Sequence, residues 1–449
     1  MRIKKVASVL VAAALCAAML GGCGTEKGSA EAETGSVNYL NFKPEVATVW
    51  EDIAKAYTEE TGVEVKVTTA ASGTYEQTLK SEMAKSDAPT LFQINGSIGY
   101  QNWAEYCADW SNTDIYSWLT NKNLAVTGTD GTGVYGLPYV VEGFGIIYNQ
   151  SIMNQYFALA DKAVSIGTTE EIKDFATLKA VAEDMQLHKD ELGIEGAFAS
   201  TSLTAGEDWR WQTHTLNVPI AWEYKKDGVT DKQEIDFTYS DNYKNIFDLY
   251  INNSCTEPAM LGSKSVDDSM SEFALGKVAM VQNGNWAWNQ INGVDGNVVA
   301  EEDVKFLPIY TGVEGEEKQG LCIGTEGFLS LNSQASEADQ KASVAFLEWL
   351  YSSDTGKDFV TNKLGFITPF NTFTEEESPT DPLAQEVLRY MNDENYDNFT
   401  WVYTTFPSQT FKDDLGANLM QYAQGSMEWD TLVTQTVEEW KTEKAALVE

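Results

Sequence analysis

Short extended segments alternate with amphipathic helical segments after residue 36, and this alternation limits the fold more than any other feature of the chain. Apolar residues recur at helical spacing through residues 46–57 and again through residues 75–84. The extended segments before, between and after them are residues 38–40, 63–67 and 90–94. Strands separated by helices form a parallel sheet with helices on its faces, and ligands bind beyond the carboxyl ends of its strands. We therefore expect the loops at residues 42–45 and 95–99 to face one cleft.

The same mixture of strands and helices continues to the end of the chain. Residues 277–281 have the pattern of a core strand, and residues 342–350 and 429–440 have the spacing of helices with one buried face. Alternation over this length predicts an α/β protein whose elements are divided between two lobes.

The first 22 residues have the order of a bacterial lipoprotein signal peptide. Basic residues near the N-terminus precede an apolar stretch at residues 6–20, which is too short to span a membrane, and Leu-Gly-Gly then precedes Cys23. We expect cleavage after residues 1–22 and a lipid on Cys23; the alternative is an ordinary secretory signal. Residues 23–36 hold no large apolar side chain and are expected to form a flexible tether. These features predict a protein at the extracellular face of the cytoplasmic membrane, attached through its lipid anchor alone.

The chain carries a formal charge of −38, and removal of the basic signal peptide makes the mature protein more acidic still. Such a surface repels phosphate backbones and anionic lipids. Nucleic acid is therefore excluded as a partner, and so is membrane attachment through a basic patch.

Motifs for cofactors, metals and nucleophilic catalysis are missing or out of context. Gly131, Gly133 and Gly136 match the dinucleotide-binding spacing, but they precede an apolar strand instead of opening a helix, which predicts a turn. The two histidines, His188 and His214, are isolated from each other along the chain, which argues against a zinc site and against a histidine-based triad. We expect no cofactor, no metal site and no enzymatic activity. The many carboxylates leave a surface glycoside hydrolase, with an acid and base pair, as the alternative.

Two segments combine tryptophan with carboxylate or amide side chains. Residues 207–211 read Glu-Asp-Trp-Arg-Trp, and residues 283–288 read Asn-Gly-Asn-Trp-Ala-Trp. A sugar ring has apolar C–H faces surrounded by hydroxyls, so its site needs aromatic plates and hydrogen-bonding groups. Both segments supply such groups, which predicts sugar binding. The alternative for each tryptophan is packing in the core.

Four stretches, in this order, give the chain a specific resemblance. They are residues 60–65 (ETGVEV), 86–92 (SDAPTLF), 136–149 (GLPYVVEGFGIIYN) and 273–280 (FALGKVAM), the last leading into residues 283–288. The chain resembles the family 1 extracellular solute-binding proteins of bacterial ABC importers and is similar in pattern to maltose- and multiple-sugar-binding proteins. The resemblance covers almost the whole mature chain.

This resemblance implies a periplasmic-binding-protein-like fold, in which a three-segment hinge joins two α/β lobes with the ligand cleft between them. Lobe I would comprise residues 37–141 and 328–373, and lobe II residues 145–323 and 374–449. The lobes would close on a carbohydrate, and the permease subunits of an ABC transporter would recognise the closed form. The protein is expected to act as a monomer.

The resemblance also implies several ligand-binding residues. Glu142, in the first crossing between lobes, would reach the sugar hydroxyls, and Trp286 would stack on a sugar ring. The loop after the third strand corresponds to Asn95 and Gly96. This loop lacks the tryptophan and acidic residue of the maltose-binding pattern, so the identity of the sugar is not inherited.

Five further residues complete the predicted site. Trp209 and Trp211 correspond, by their order along the chain, to an aromatic loop of the second lobe. Asn285 and Glu45 would bind hydroxyls, and Glu326 lies near the second crossing. For Glu45 the alternative is a carboxylate favoured by the dipole at a helix N-terminus. For the whole protein, a remaining alternative is capture of a peptide or another polar solute.

Overall fold

The computed structural model describes residues 34–71 and 73–447. Its strands are β1 (Val37–Asn41), β2 (Val65–Thr69), β3 (Leu91–Asn95), β4 (Val126–Thr127), β5 (Val134–Pro138), β6 (Glu142–Asn149), β7 (Gly196–Phe198), β8 (Val278–Gly284), β9 (Val304–Leu307), β10 (Gln319–Gly324), β11 (Gly327–Leu331) and β12 (Asp397–Phe399). Its α-helices are α1 (Ala47–Thr61), α2 (Tyr75–Met83), α3 (Gly96–Trp103), α4 (Asp114–Ser117), α5 (Gln150–Phe157), α6 (Phe175–Leu187), α7 (Lys189–Leu192), α8 (Leu216–Asp227), α9 (Ser240–Asn252), α10 (Val266–Ala274), α11 (Ala287–Asn292), α12 (Glu337–Ser352), α13 (Asp354–Asp358), α14 (Pro382–Asn392), α15 (Gln409–Ala423) and α16 (Trp429–Ala446). The predicted signal peptide, Cys23 and the first part of the tether lie outside the described residues.

The first sheet contains the strands that the N-terminal alternation predicts. Its order is β2-β1-β3-β11-β5-β4, with β1 parallel to β2 and β3, and β11 antiparallel to β3 and β5. In α1, Trp50, Ile53, Ala54 and Tyr57 are buried, and the helix ends where Gly62 adopts φ +77°. A residue without Cβ adopts this left-handed conformation readily, so the Thr-Gly pair ends the helix as its sequence predicts.

The second sheet has the order β12-β10-β6-β8-β7, and β9 also pairs with β6. Every residue of β6 and β8 is buried, which explains their nearly continuous apolar sequences. Successive side chains of β6 point to opposite faces: Phe144 and Ile146 belong to one core cluster, and Ile147 belongs to another. The two mixed sheets and their helices confirm the predicted α/β class.

The chain passes between the two sheets at short connections. Residues 139–141 join β5 to β6, and Thr325 and Glu326 join β10 to β11. Near the first connection, Val141 pairs with Ile367. After Ile367 the chain passes to α14, which packs on the second sheet. The lobe boundaries at residues 141, 145, 323, 328, 373 and 374 stay a prediction.

Gly131 and Gly133 form a turn before β5, as predicted from their context, whereas Gly136 lies within β5. Gly131 and Gly133 have φ values of +75° and +67°, and β5 follows directly. The glycines of this turn therefore serve backbone geometry.

Within the described residues, no helix combines the length and apolar character needed to cross a membrane.

Candidate functional site

A cavity of about 630 Å³ lies between the two sheets. Phe42 and Glu45, after β1, and Asn95, at the end of β3, line one side, so the predicted convergence of these loops is confirmed. Segments attached to the second sheet line the other side, including residues 206–209 and 409–413. The volume falls within the range of about 300–1,000 Å³ that is typical of small-molecule sites.

A buried ion pair occupies the base of the cavity. The Nζ of Lys43 lies 2.7 and 3.0 Å from the two carboxylate oxygens of Glu142 and 3.6 Å from a carboxylate oxygen of Glu45. Burial lowers the pKa of Lys43, but Glu142 and Glu45 outweigh burial and leave that pKa raised. Burial raises the pKa of Glu142, and Lys43 offsets only part of this change. Glu142 therefore lines the cavity as predicted, already paired with a lysine that sequence reasoning missed.

Glu326 links the second inter-sheet connection to both walls of the cavity. Its carboxylate accepts hydrogen bonds from the Asn95 side-chain amide at 3.4 Å and from the Tyr403 hydroxyl at 3.3 Å. Burial raises the pKa of Glu326, and Lys412 and Lys43 oppose this change. The Oδ1 of Asn95 is buried and has no hydrogen-bond partner among the described residues. An acceptor at the edge of the cavity is thus left for a donor from outside the protein.

Aromatic rings form the second-sheet wall of the cavity. The ring centroids of Trp209 and Trp286 are 6.1 Å apart with a 43° angle between their planes, and Trp401 lies 6.4 Å from Trp286 at 89°. Trp209 and Trp286 are both half-buried, so each presents part of its ring to the cavity. A cation lies over each: the guanidinium of Arg210 is 4.1 Å from the Trp209 centroid, and the Lys43 ammonium is 5.5 Å from that of Trp286.

His214 also lines the cavity and packs against these aromatic rings. Its imidazole stacks on Phe144 with a centroid distance of 4.0 Å and lies 4.9 Å from Trp209 and 5.4 Å from Trp286. Its Nδ1 lies 3.1 Å from the Gln282 amide. Burial holds the pKa of His214 well below its usual value, so the ring is neutral and serves as an apolar support.

Three residues of the predicted site do not line the cavity. Trp211 is fully buried, packs 4.5 Å from Phe247 between ring centroids, and donates its indole N–H to the carbonyl of Thr201. Trp211 is the second residue of a π-helical turn at Arg210–Thr215. Side chains two residues apart on a helical turn point to nearly opposite sides. Trp209 therefore faces the cavity while Trp211 packs in the core.

The other two residues have structural positions beside the site. The Asn285 side-chain oxygen accepts a hydrogen bond from the Gly143 N–H at 2.9 Å, and the backbone N–H of Asn285 donates to the Gly143 carbonyl at 3.0 Å. It therefore fastens β6 to the turn after β8. Gly96 begins α3 with φ +58°, and a Cβ there would lie 3.5 Å from the side chain of Thr404. The predicted residues that do meet in the cavity are Glu45, Asn95, Glu142, Trp209, Trp286 and Glu326.

Sequence reasoning passed over several charged residues of the cavity. Asp208 lies in the segment at residues 207–211 that predicts sugar binding, but it is not among the predicted site residues. Lys43 lies beside Glu45 in the first loop, whose direction toward the cleft was expected. Lys412 and Asp413 belong to α15, where nothing in the local sequence distinguishes them from residues of a solvated helix face.

A family model described as bacterial extracellular solute-binding protein matches residues 52–386. The match spans most of the chain and includes every strand from β2 to β11, leaving β1 and β12 outside it.

Several solved structures share the fold. A chitin oligosaccharide binding protein superimposes with a TM-score of 0.71 and 17% identity, over 92% of this chain and 100% of that one. The solute-binding protein RafE in complex with raffinose gives a TM-score of 0.69 and 18% identity, over 92% and 100%. Maltose-bound MalE3 of T. maritima gives 0.67 and 13% identity, over 91% and 100%. At these identities the similarity establishes a common fold.

Proposed function

Because the chain belongs to the family of bacterial extracellular solute-binding proteins, we propose that it captures a carbohydrate outside the cell and delivers it to the permease of an ABC importer. Membership of the family establishes that the chain is a solute-binding protein. That the solute is a carbohydrate, and that it is delivered to a permease, is our proposal.

The observation that carries the carbohydrate assignment is the composition of the cavity walls. Half-buried Trp209 and Trp286 face carboxylate and amide groups across one cavity. Aromatic rings bury the apolar C–H face of a sugar, and carboxylate and amide oxygens accept hydrogen bonds from its hydroxyls. The binding of chitin oligosaccharide, raffinose and maltose by proteins of the same fold supports this assignment.

Each of the cavity residues has a proposed role. Trp209 and Trp286 stack on sugar rings, while Glu45 and Asn95 bind hydroxyls directly. Glu142 shares its oxygens between Lys43 and the ligand, since its carboxylate has more acceptor sites than the two bonds to Lys43 occupy. Glu326 receives hydroxyls beside Asn95 and Tyr403.

Capture requires that ligand contacts come from both sheets. Glu45 and Asn95 belong to the first sheet, and Trp209 and Trp286 belong to segments of the second sheet. We propose that each sheet and its helices form one lobe, with the boundaries predicted from the sequence, and that a ligand stabilises the closed arrangement because only that arrangement supplies all contacts.

A thermal-shift screen followed by titration calorimetry tests the carbohydrate assignment. A ligand that binds only the folded protein raises its melting temperature, so mono- to pentasaccharides should include hits, and each hit should be recovered unchanged. Amino acids, short peptides and polyamines are the control set. If only members of the control set bind, the assignment is wrong; if a saccharide is hydrolysed, the glycoside hydrolase alternative replaces it.

A further inference from the structure

The cavity has an excess of negative charge. Eight carboxylate side chains and two ammonium groups line it. One ammonium, that of Lys43, is committed to Glu142 and Glu45. The other belongs to Lys412, which is 8% exposed, and this ammonium forms no hydrogen bond or ion pair with any described residue. The buried guanidinium of Arg210, which packs on Trp209, adds one positive charge near Glu207 and Asp267, so the eight carboxylates still outnumber the three cations around them.

Asp208 is the most constrained of these carboxylates. It is 3% exposed, and its Oδ1 has no hydrogen-bond partner among the described residues. Its Oδ2 lies against Gly416 of α15, so closely that a Cβ at position 416 would overlap it. Gly416 is one helical turn from Lys412, yet the Asp208 carboxylate and the Lys412 ammonium form no ion pair within 4.0 Å. Asp208 thus lines the cavity and keeps an acceptor that no described residue uses.

Burial makes several of these carboxylate charges unfavourable. Burial, with a smaller contribution from nearby Asp413, raises the pKa of Asp208 to about 6. Burial raises the pKa of Glu326 and of Glu76 as well. Burial thus disfavours the charged form of each of these carboxyl groups, and charges act strongly on one another in a cleft that excludes water.

We propose that the cavity selects its saccharide by charge: it accepts neutral and amine-bearing saccharides and rejects those that carry carboxylate, phosphate or sulfate groups, with Asp208 and Lys412 setting the balance. This inference rests on the proposed carbohydrate function. Hydroxyl and ammonium groups donate to the unused acceptors of Asp208 and Asn95, whereas an anionic substituent would add to the crowded carboxylates.

The test compares matched ligands. Titration calorimetry at about pH 7 measures the binding of maltotriose, raffinose and N-acetylchitotriose. It also measures derivatives of each in which one C6 hydroxymethyl group is replaced by an aminomethyl or a carboxylate group. The thermal-shift library adds sugar phosphates and sulfates. The expected order is amine at least equal to neutral, and anion weaker by about tenfold or more. An anionic ligand that binds as tightly as its neutral parent overturns the inference and leaves the proposed function intact. If no saccharide binds, both fail.

Two variants with opposite charge changes sharpen this test. Asp208→Asn should reduce the preference for amine over carboxylate derivatives by about three- to tenfold, and Lys412→Met should increase it by a similar factor. Asp130→Asn makes the same chemical change at an exposed turn outside the cavity and should leave the preference unchanged. Because the two cavity variants move a ratio in opposite directions, partial loss of folded protein cannot mimic the result. Equal ratios in all four proteins would refute the assigned roles.

Discussion

Trp286 and Trp211 show how two tryptophans from similar aromatic segments take different roles. Trp286 is half-buried in the cavity wall, beneath the ammonium of Lys43, whereas Trp211 is fully enclosed by Phe247 and Tyr250. An aromatic side chain that a ligand covers contributes mainly to affinity, and one that the core covers contributes mainly to stability.

This difference gives a matched pair of variants. Trp286→Ala should weaken saccharide binding by about 1–3 kcal/mol and change stability less. Trp211→Ala should lower the free energy of unfolding by about 3–5 kcal/mol. Calorimetric titration and urea unfolding on both proteins separate the two effects. Loss of stability in Trp286→Ala with normal binding by the folded fraction would show that Trp286 is a core residue.

The carboxyl group of Asp208 makes stability depend on pH. Its folded pKa of about 6 lies above the ordinary value of 3.8, so the folded protein binds the proton more tightly than the unfolded chain. Its contribution to stability is therefore present below about pH 4 and is lost as the pH rises through about 6. Asp208→Asn should be more stable than the wild type at pH 8, by an amount on the order of 1–3 kcal/mol, and this difference should disappear near pH 4. Urea unfolding across this pH range checks both the sign and the window; a constant difference would contradict it.

Much of the predicted site depended on residues whose type already suggests ligand binding. Glu142 and Trp286 were found because their stretches match a family pattern, and both line the cavity. Lys43 and Lys412 could not be found in that way, because a lysine in a loop or on an amphipathic helix is ordinarily solvated. Only the fold shows that β6 brings Glu142 to Lys43 and that α15 turns Lys412 inward.

At the scale of elements, periodicity located the strands and helices well where their patterns were long. The predicted strand at residues 277–281 corresponds to β8, and the predicted helices at 342–350 and 429–440 are parts of α12 and α16. The π-helical turn at Arg210–Thr215 was not predicted, since its extra residue per turn has no signature in the spacing of apolar residues. That turn decides which tryptophan faces the cavity.

Two loops from opposite sheets meet at the mouth of the cavity. Gly73, before α2, and Gly206, before Trp209, both line the cavity, and a Cβ at position 73 would overlap the carbonyl oxygen of Gly206. Both glycines have positive φ values, of +68° and +82°. The two loops can approach this closely only because residue 73 lacks a side chain.

Gly73→Ala should therefore weaken ligand binding by preventing this approach, by about three- to tenfold in Kd. The matched control is Gly131→Ala, which has a similar φ of +75° but nothing within 4 Å of the added methyl group. Both variants should lose about 1 kcal/mol of stability from backbone strain, and only Gly73→Ala should lose affinity. Equal affinities in titration calorimetry would show that the contact does not matter for binding.

At the scale of the whole molecule, the strongly acidic composition continues into the cavity. The sequence has 68 acidic and 30 basic residues, and the cavity lining has the same bias. The surface charge alone indicated which macromolecules the protein repels. The charge of the cavity, which follows from the fold, extends that argument to the ligand.

The proposed membrane anchor belongs to this scale as well. Changing Cys23 to alanine should release the protein from membranes, because the lipid is the only attachment that we propose. Membrane fractionation of cells that produce the Cys23→Ala variant checks this expectation. Cleavage of the signal peptide from the variant confirms that it has been exported. Retention of that variant on membranes would require another attachment.

The most direct test of the account is a crystal structure with the tightest-binding saccharide from the screen. The account predicts a sugar ring in van der Waals contact with Trp286 or Trp209, hydroxyls within hydrogen-bond distance of Glu45, Asn95 or Glu142, and Trp211 unchanged in the core. A saccharide bound outside this cavity, or inside it without contact to either of the two half-buried tryptophans, would contradict the central claim.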